Sequence, residues 1–264
     1  MTPSINKLPQ ITLAFWVMKI CATTLGETAG DLLSMTLNVG YTASSLILFS
    51  AFLVLLVTQL SSKKYHPILY WSVILATSTA GTTMSDFMDR TLGLGYMKGS
   101  LILLGILLTI LAYWYFSENS MSVVKIRTFR VEVLYWVAIL FSNTLGTALG
   151  DFLADDSGLG FLGGAVLIGA LITAVAAAAY FTNISRVLLF WIAFVLTRPF
   201  GATFGDLLTK PVAKGGIGFG TVGSSAVLLA ILVIGILMTL VKLRWQAALE
   251  PALVLEEANA EAEA

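Results

Sequence analysis

The sequence has little charge. Only 11% of its 264 residues are Asp, Glu, Lys or Arg, where a soluble domain carries about 25%. Acidic and basic residues number 15 each, so the formal net charge is zero. No overall field is there to recruit nucleic acid or an acidic partner. A single cysteine, Cys21, excludes an internal disulfide. A single histidine, His66, lies beside Lys63 and Lys64, which argues against zinc or copper centres needing several such ligands. The segment Met1–Gln10 lacks a basic stretch, a short apolar core and a cleavage site, so no removable signal peptide is expected. Cofactor motifs are also missing. Gly215-Gly216-Ile217-Gly218-Phe219-Gly220 is glycine-rich but follows no strand, and reads as a flexible outer turn.

What the chain does have is apolar length, with 58% hydrophobic residues. Crossing about 30 Å of hydrocarbon takes about 20 apolar residues in a helix. Eight stretches qualify: Ile11–Leu33, Tyr41–Leu60, Pro67–Met88, Tyr96–Phe116, Val131–Leu153, Phe161–Phe181, Val187–Leu208 and Gly218–Val241. A membrane β-barrel would alternate in polarity, and Ile102–Leu111 and Val166–Ala179 do not. Basic residues set orientation. With eight spans, one side carries Lys7, Lys63, Lys64, Lys125, Arg127, Arg130, Arg186, Lys242 and Arg244, and the other Arg90, Lys98, Lys210 and Lys214. This imbalance predicts a multi-pass inner-membrane protein with both termini cytoplasmic. The tail over residues 246–264 is polar and Ala/Glu-rich, and reads as a solvated or frayed end.

The spans repeat. A Trp lies fifteen residues before an Asp four times: Trp16 and Asp31, Trp71 and Asp86, Trp136 and Asp151, Trp191 and Asp206. An aromatic precedes each Trp: Phe15, Tyr70, Tyr135 and Phe190. Small residues stand five and one before each Asp: Gly26 and Gly30, Gly81 and Ser85, Gly146 and Gly150, Gly201 and Gly205. Spaced four apart, they let helix backbones approach closely in lipid. Nine residues after the first three Asp comes Gly-aromatic, at Gly40, Gly95 and Gly160; the fourth copy inserts three residues and resumes at Gly218-Phe219. Copies one and three are offset by 120 residues, as are two and four, which suggests a pair of repeats duplicated once more. The expected fold is all-α: about eight transmembrane helices in four two-helix repeats (about 11–62, 66–118, 129–183 and 186–245). These form one domain over residues 1–245, pseudo-symmetric about the membrane normal as in parallel-repeat transporters.

Residues three and four apart share a helix face. The first copy therefore carries a stripe of Lys19, Thr23, Thr24, Glu27, Thr28 and Asp31. The second carries Thr79, Thr82, Thr83 and Asp86; the third Asn143, Thr144, Thr147 and Asp151; the fourth Arg198, Thr203 and Asp206, with Pro199 interrupting. If each Trp marks an interface, fifteen residues place each Asp about 22 Å away, still within the hydrocarbon. An intramembrane carboxylate is costly and marks a functional site by default; the bland alternative is that each Asp caps a helix end at the outer interface. The span bases Lys19 and Arg198 are read as charge-pairing or gating groups, with Arg198 neutralising Asp206 or Asp31 and Lys19 pairing or snorkelling.

Five acids against two bases in the spans leave an excess of negative charge. Carboxylates with Thr hydroxyls suit hard cations such as Mn²⁺, Mg²⁺ and Ca²⁺. The expected ion ligands are Glu27, Asp31, Asp86, Asp151 and Asp206, with Thr24, Thr28, Thr79, Thr83, Asn143, Thr144 and Thr203 around them. The expected function is cation transport, coupled to protons and in the export direction. A carrier of small organic solutes, a passive channel and an intramembrane enzyme are the alternatives. The Gly-x-Gly-Asp motif of intramembrane aspartyl proteases occurs nowhere, so no enzyme is expected.

The repeated Thr-x-Gly-x-Thr-x-Gly-Asp segments and the Leu-Gly-Tyr turns resemble the bacterial membrane-anchored proteins built from a tandem repeat of unknown function. The likeness covers Phe15 to about Val241 and implies no activity. Glu27-Thr28-Ala29-Gly30-Asp31 is also similar, more weakly, to the Glu and Gly-Asp motif of manganese/calcium–proton exchangers. It is one residue longer, and Leu32-Leu33 follow where that family has basic and hydroxyl residues.

Overall fold

The structure, a computed structural model, describes residues 8–121, 123 and 128–262, with the side chains of 247 and of 249 onward left out. Lys7, Lys125 and Arg127 of the charge count, and residues 1–7 of the leader reading, lie outside the described residues. Eight α-helices form: α1 Leu13–Asp31, α2 Tyr41–Ser61, α3 Pro67–Asp86, α4 Tyr96–Glu118, α5 Phe129–Asp151, α6 Gly160–Phe181, α7 Arg186–Thr209 and α8 Thr221–Ala262. No strand occurs among the described residues. Ordinary capping chemistry starts the inner helices. Thr12, Thr128 and Ser185 accept from the backbone N–H groups of Phe15, Val131 and Leu188, and Pro67 opens α3.

Among the described residues, six helices are long and apolar enough to cross a membrane: α2, α4, α5, α6, α7 and the Thr221–Gln246 part of α8. Eight were expected. α1 and α3 fall outside because their polar stripes, crowded with Thr, Ser and charge, dilute their hydropathy. α8 runs as helix through Ala262, because Ala, Glu and Leu are strong helix formers.

The packing is cyclic. α1 lies against α3 and α7, and α5 lies against α3 and α7, so the four first helices close into a ring. Each second helix packs chiefly on the first helix of the next copy: α2 on α3, α4 on α5, α6 on α7, and α8 back on α1. The outer helices expose Leu46, Val54, Leu101, Leu108, Val166, Val227 and Leu237, among many large apolar side chains. An apolar belt of that extent needs a lipid solvent.

Small residues set the ring spacing. A Cβ on Gly146 would fall 2.5 Å from Arg198 Cβ, one on Gly81 3.0 Å from the Asn143 carbonyl carbon, and one on Gly201 2.8 Å from that of Thr23. Gly26 meets the Ser78 side chain in the same way. In every case the glycine five residues before one Asp receives the residue eight before the next copy's Asp. Gly30, Gly150 and Gly205 likewise receive Thr82, Ala202 and Glu27. Ser85, at the matching place in the second copy, instead donates to Asp89 at 3.2 Å.

After Asp31, Asp86 and Asp151 the first three inner helices relax into π-helical turns, Leu32–Thr36, Phe87–Thr91 and Phe152–Asp156. α7 continues to Thr209 and is stopped before Pro211, which cannot extend a helix. The connecting turn then uses two left-handed positions two residues apart: Asn38 and Gly40, Gly93 and Gly95, Gly158 and Gly160, Gly218 and Gly220. This corrects the fourth register. α8 resumes after Gly220, so the insertion is five residues, not three. Nor is the glycine-rich insertion a free turn. Ile217 N–H donates to Leu207 O at 2.6 Å, Gly218 N–H to Lys210 O at 3.0 Å and Phe219 N–H to Leu208 O at 2.9 Å, which satisfies the open carbonyls of α7.

Gly201→Ala should therefore lower the thermal midpoint in detergent, at an overpacking cost of about 1–3 kcal/mol. Gly105→Ala on α4, where a Cβ meets nothing within 4 Å, should be neutral or stabilising. Equal effects in thermal unfolding would contradict the close approach.

Candidate functional site: the polar axis of the ring

The ring places equivalent positions of the four copies at one level, and three levels matter. At the Trp end, each aromatic packs on the Trp of the next copy. Ring centroids are 5.8 Å apart for Phe15 and Trp71, 5.7 Å for Tyr70 and Trp136, 6.4 Å for Tyr135 and Trp191, and 5.6 Å for Phe190 and Trp16. Tyr70 and Tyr135 share a hydrogen bond of 2.9 Å. A cavity of about 300 Å³ lies against Phe15, Tyr70, Tyr135 and Phe190, with Leu8 and Val123 on its wall. The aromatic level thus closes this end of the axis.

The middle level holds a buried ion pair. Arg198 Nη2 donates to Glu27 Oε2 at 2.9 Å, and both side chains are buried. The same nitrogen reaches Thr82 Oγ1 and Thr147 Oγ1 at 2.5 Å each. Thr82 in turn donates to Glu27 Oε2 at 3.3 Å, and Thr147 at 3.5 Å. Glu27, Thr82 and Thr147 stand four residues before their aspartates; the fourth equivalent, Ala202, contributes nothing polar and leaves room for the guanidinium. Arg198 was expected on Asp206 or Asp31 and instead pairs with Glu27. It stands two helical turns before Asp206, too far back to meet the aspartate level. Lys19 does not snorkel. It is fully buried, with Nζ 4.0 Å over the Phe194 ring.

The third level holds the four aspartates, all buried. Asp31, Asp86 and Asp151 make no capping hydrogen bond to the turns that follow them, so the capping alternative does not describe them. Two cations bind them in pairs. Arg90 Nε lies 2.9 Å from Asp86 Oδ1 and its Nη2 3.3 Å from Asp151 Oδ2. Lys210 Nζ lies 2.6 Å from Asp31 Oδ2 and 3.0 Å from Asp206 Oδ1. Sequence reading had put Arg90 and Lys210 in outer loops. The missed signal was their spacing of four after Asp86 and Asp206, which returns them to the same helix face.

The other expected ligands divide. Thr24 and Thr144 donate to carbonyls of their own helices, Ile20 and Leu140. Thr79, Thr83 and Thr203 do the same, to Leu75, Thr79 and Pro199. Asn143 donates to Thr77, and Thr28 bonds Ser225 on α8 at 2.8 Å. None of these bonds reaches a carboxylate. Three carboxylates do converge: Glu27, Asp31 and Asp206 each place an oxygen within 4.8 Å of the others. Three buried carboxylates at that separation can ligate one hard cation.

Removing one partner of a buried ion pair strands the other charge, at a cost of about 3–5 kcal/mol. Glu27→Gln should thus unfold at a markedly lower temperature than the wild type. The double variant Glu27→Gln with Arg198→Met should recover much of that loss. A double variant no more stable than Glu27→Gln would contradict the pairing. Against known proteins, no curated protein and no solved structure matches the chain. One family model matches four times, over residues 14–65, 69–120, 134–185 and 189–243. These matches coincide with the four helix pairs of the ring and take in most of the chain, so the protein belongs to the family of the Repeat of Unknown Function (DUF347).

Proposed function

We propose that the protein is an integral membrane transporter that moves a hard divalent cation, of the Mn²⁺, Mg²⁺ or Ca²⁺ class, through the Glu27–Asp31–Asp206 site in exchange for protons. All eight helices cross the inner membrane in this reading, with pseudo-symmetry about its normal and both termini in the cytoplasm. α1 and α3 are carried through lipid by the apolar helices around them. The observation that carries the function is the approach of three buried carboxylates from two ring helices to within 4.8 Å. Orientation is supported by charge. With Arg90 and Lys210 committed to aspartates, the side opposite the termini keeps Lys98 at the start of α4 and Lys214 in its last turn, which sharpens the basic asymmetry.

The axis favours a carrier over an open pore. It is plugged at mid-level by Arg198 and Glu27 and closed at the Trp end by aromatics. The aspartate level lies near the opposite surface, since Lys210 and Arg90 keep 20% and 32% side-chain exposure. A cation would reach the carboxylates from that surface, and passage onward requires the Trp end to open. The export direction rests on the proton-exchange reading alone.

A second reading has one observation in its favour. Arg198 Nε and Nη1 and Lys19 Nζ have no hydrogen-bond partner among the described residues. Such donors would suit the carboxylate or phosphate of a small organic solute. Flux in proteoliposomes, with Mn²⁺, Mg²⁺, Ca²⁺ and monovalent ions outside and a pH reporter inside, decides between the two. The cation reading expects divalent uptake with proton movement, reduced at least tenfold in Asp31→Asn. No flux of any cation, together with thermal stabilisation by organic anions that Arg198→Met abolishes, would replace it with the second reading.

A further inference from the structure

The cations that bridge the aspartates repeat two-fold around the ring, not four-fold. Four residues after the aspartate, copies two and four carry Arg90 and Lys210, while copies one and three carry Met35 and Asp155. Each cation bridges its own copy's aspartate to that of the next copy. The two bridged pairs, Asp86 with Asp151 and Asp206 with Asp31, are related by the 120-residue offset.

The two bridges are built differently. The Arg90 guanidinium meets two carboxylates through separate nitrogens, and it lies 5.8 Å from the Tyr41 ring and 5.5 Å from the Tyr96 ring. A planar fork so held is fixed in orientation. The residues four before Asp86 and Asp151 are Thr82 and Thr147, so that half has no acid at the position of Glu27. Lys210 is a single ammonium on a flexible stem, and no aromatic ring faces it among the described residues. Its half has the third carboxylate, Glu27.

The Lys210 backbone is anchored, and its side chain reaches from that anchor to the carboxylates. Lys210 is the first residue beyond α7, with extended φ −71° and ψ 150°. Its carbonyl is held by Gly218 N–H, and Gly216 packs directly on it. The side chain is 20% exposed, while Asp31 and Asp206 are 5% and 7%. The ammonium therefore stands between the carboxylates and the surface.

We propose that Lys210 is a tethered counter-ion, which occupies the Glu27–Asp31–Asp206 carboxylates in the cation-free state and swings outward when a divalent cation takes its place. Arg90 is the fixed counterpart that keeps the Asp86–Asp151 half closed to ions. This deepens the cation reading above and rests on it. Charge balance gives the exchange its selectivity. Three carboxylates with Arg198 and Lys210 carry one net negative charge. A divalent ion in place of Lys210 removes it; a monovalent ion leaves it. In a poorly solvated site the neutral set is favoured.

The test uses the purified full-length protein in detergent with Mn²⁺ alone as probe. In wild type, saturating Mn²⁺ should raise labelling of Lys210 by an amine-reactive reagent at least threefold, read by peptide mass spectrometry. Lys210→Met, which keeps the stem and removes the charge, should bind Mn²⁺ at least ten times more tightly, whereas Arg90→Met should lose thermal stability and gain no affinity. Mn²⁺ binding by wild type with unchanged Lys210 labelling overturns the tethered counter-ion and leaves the cation reading standing. That labelling result decides even if Lys210→Met does not fold. No Mn²⁺ binding by wild type or by folded Lys210→Met overturns both.

Discussion

The structure depends on one steric constraint, the seating of a side chain from each inner helix in the glycine notch of its neighbour. Gly26, Gly81, Gly146 and Gly201 admit Ser78, Asn143, Arg198 and Thr23 in turn, and the last contact returns to the first helix. Lipid offers no hydrophobic reward for joining apolar helices, so close packing and polar contacts must hold them. Both are present together here. The notches bring backbones near enough for Thr23 to donate to Thr197 O at 3.1 Å and for Thr82 Oγ1 to lie 3.2 Å from Gly26 O. Outer helices reinforce the closure by crossing to the next copy, so that no copy is a self-contained unit.

Closing the ring turns four polar stripes inward and creates an electrostatic problem. Five acids meet on one axis. Sequence identity differs between copies where this problem is answered: Glu27 and Arg198 neutralise one another at mid-level, and Arg90 and Lys210 each serve two aspartates. Counted this way, the axis carries Lys19, Arg90, Arg198 and Lys210 against the five acids, so the negative excess is smaller than the spans alone suggest. With Lys19 set aside, each half keeps one net negative charge: Asp86 and Asp151 against Arg90, and Glu27, Asp31 and Asp206 against Arg198 and Lys210. The asymmetry between a clamped guanidinium and a loose ammonium is what gives an otherwise repetitive ring a working side.

Much of this was legible in the residues because a repeat multiplies weak signals. One Trp fifteen residues before one Asp means little; four such pairs with registered glycines fixed the copies, the helices and the small-residue contact faces. Charge partners were not legible. Helix periodicity says that Arg198 faces inward but not which neighbour it meets, since that depends on how the copies are staggered around the ring. Arg90 and Lys210 follow the last apolar residues and look like loop charges until the helical turn past each aspartate is seen. Threonines three and seven residues before an aspartate shared the stripe, yet their hydroxyls turn back to their own helices, as Thr commonly does in apolar surroundings. The register of the fourth turn was misplaced because Gly218 and Gly220 both fit the pattern, and only the backbone distinguishes them.

The return of copy four onto copy one is the claim on which the shared axis stands, and a cross-link between α8 and α1 measures it. Thr28 and Ser225 meet through their hydroxyls at 2.8 Å, although they are 197 residues apart. With Cys21→Ser removing the native thiol, the pair Thr28→Cys and Ser225→Cys should form an intramolecular disulfide under mild oxidation in native membranes, identified as a linked peptide pair by mass spectrometry. Efficient linking within the monomer is the result the ring requires. Reduced thiols under conditions that oxidise a neighbouring control pair, or linking only between separate chains, would mean that the four copies do not close on a common axis.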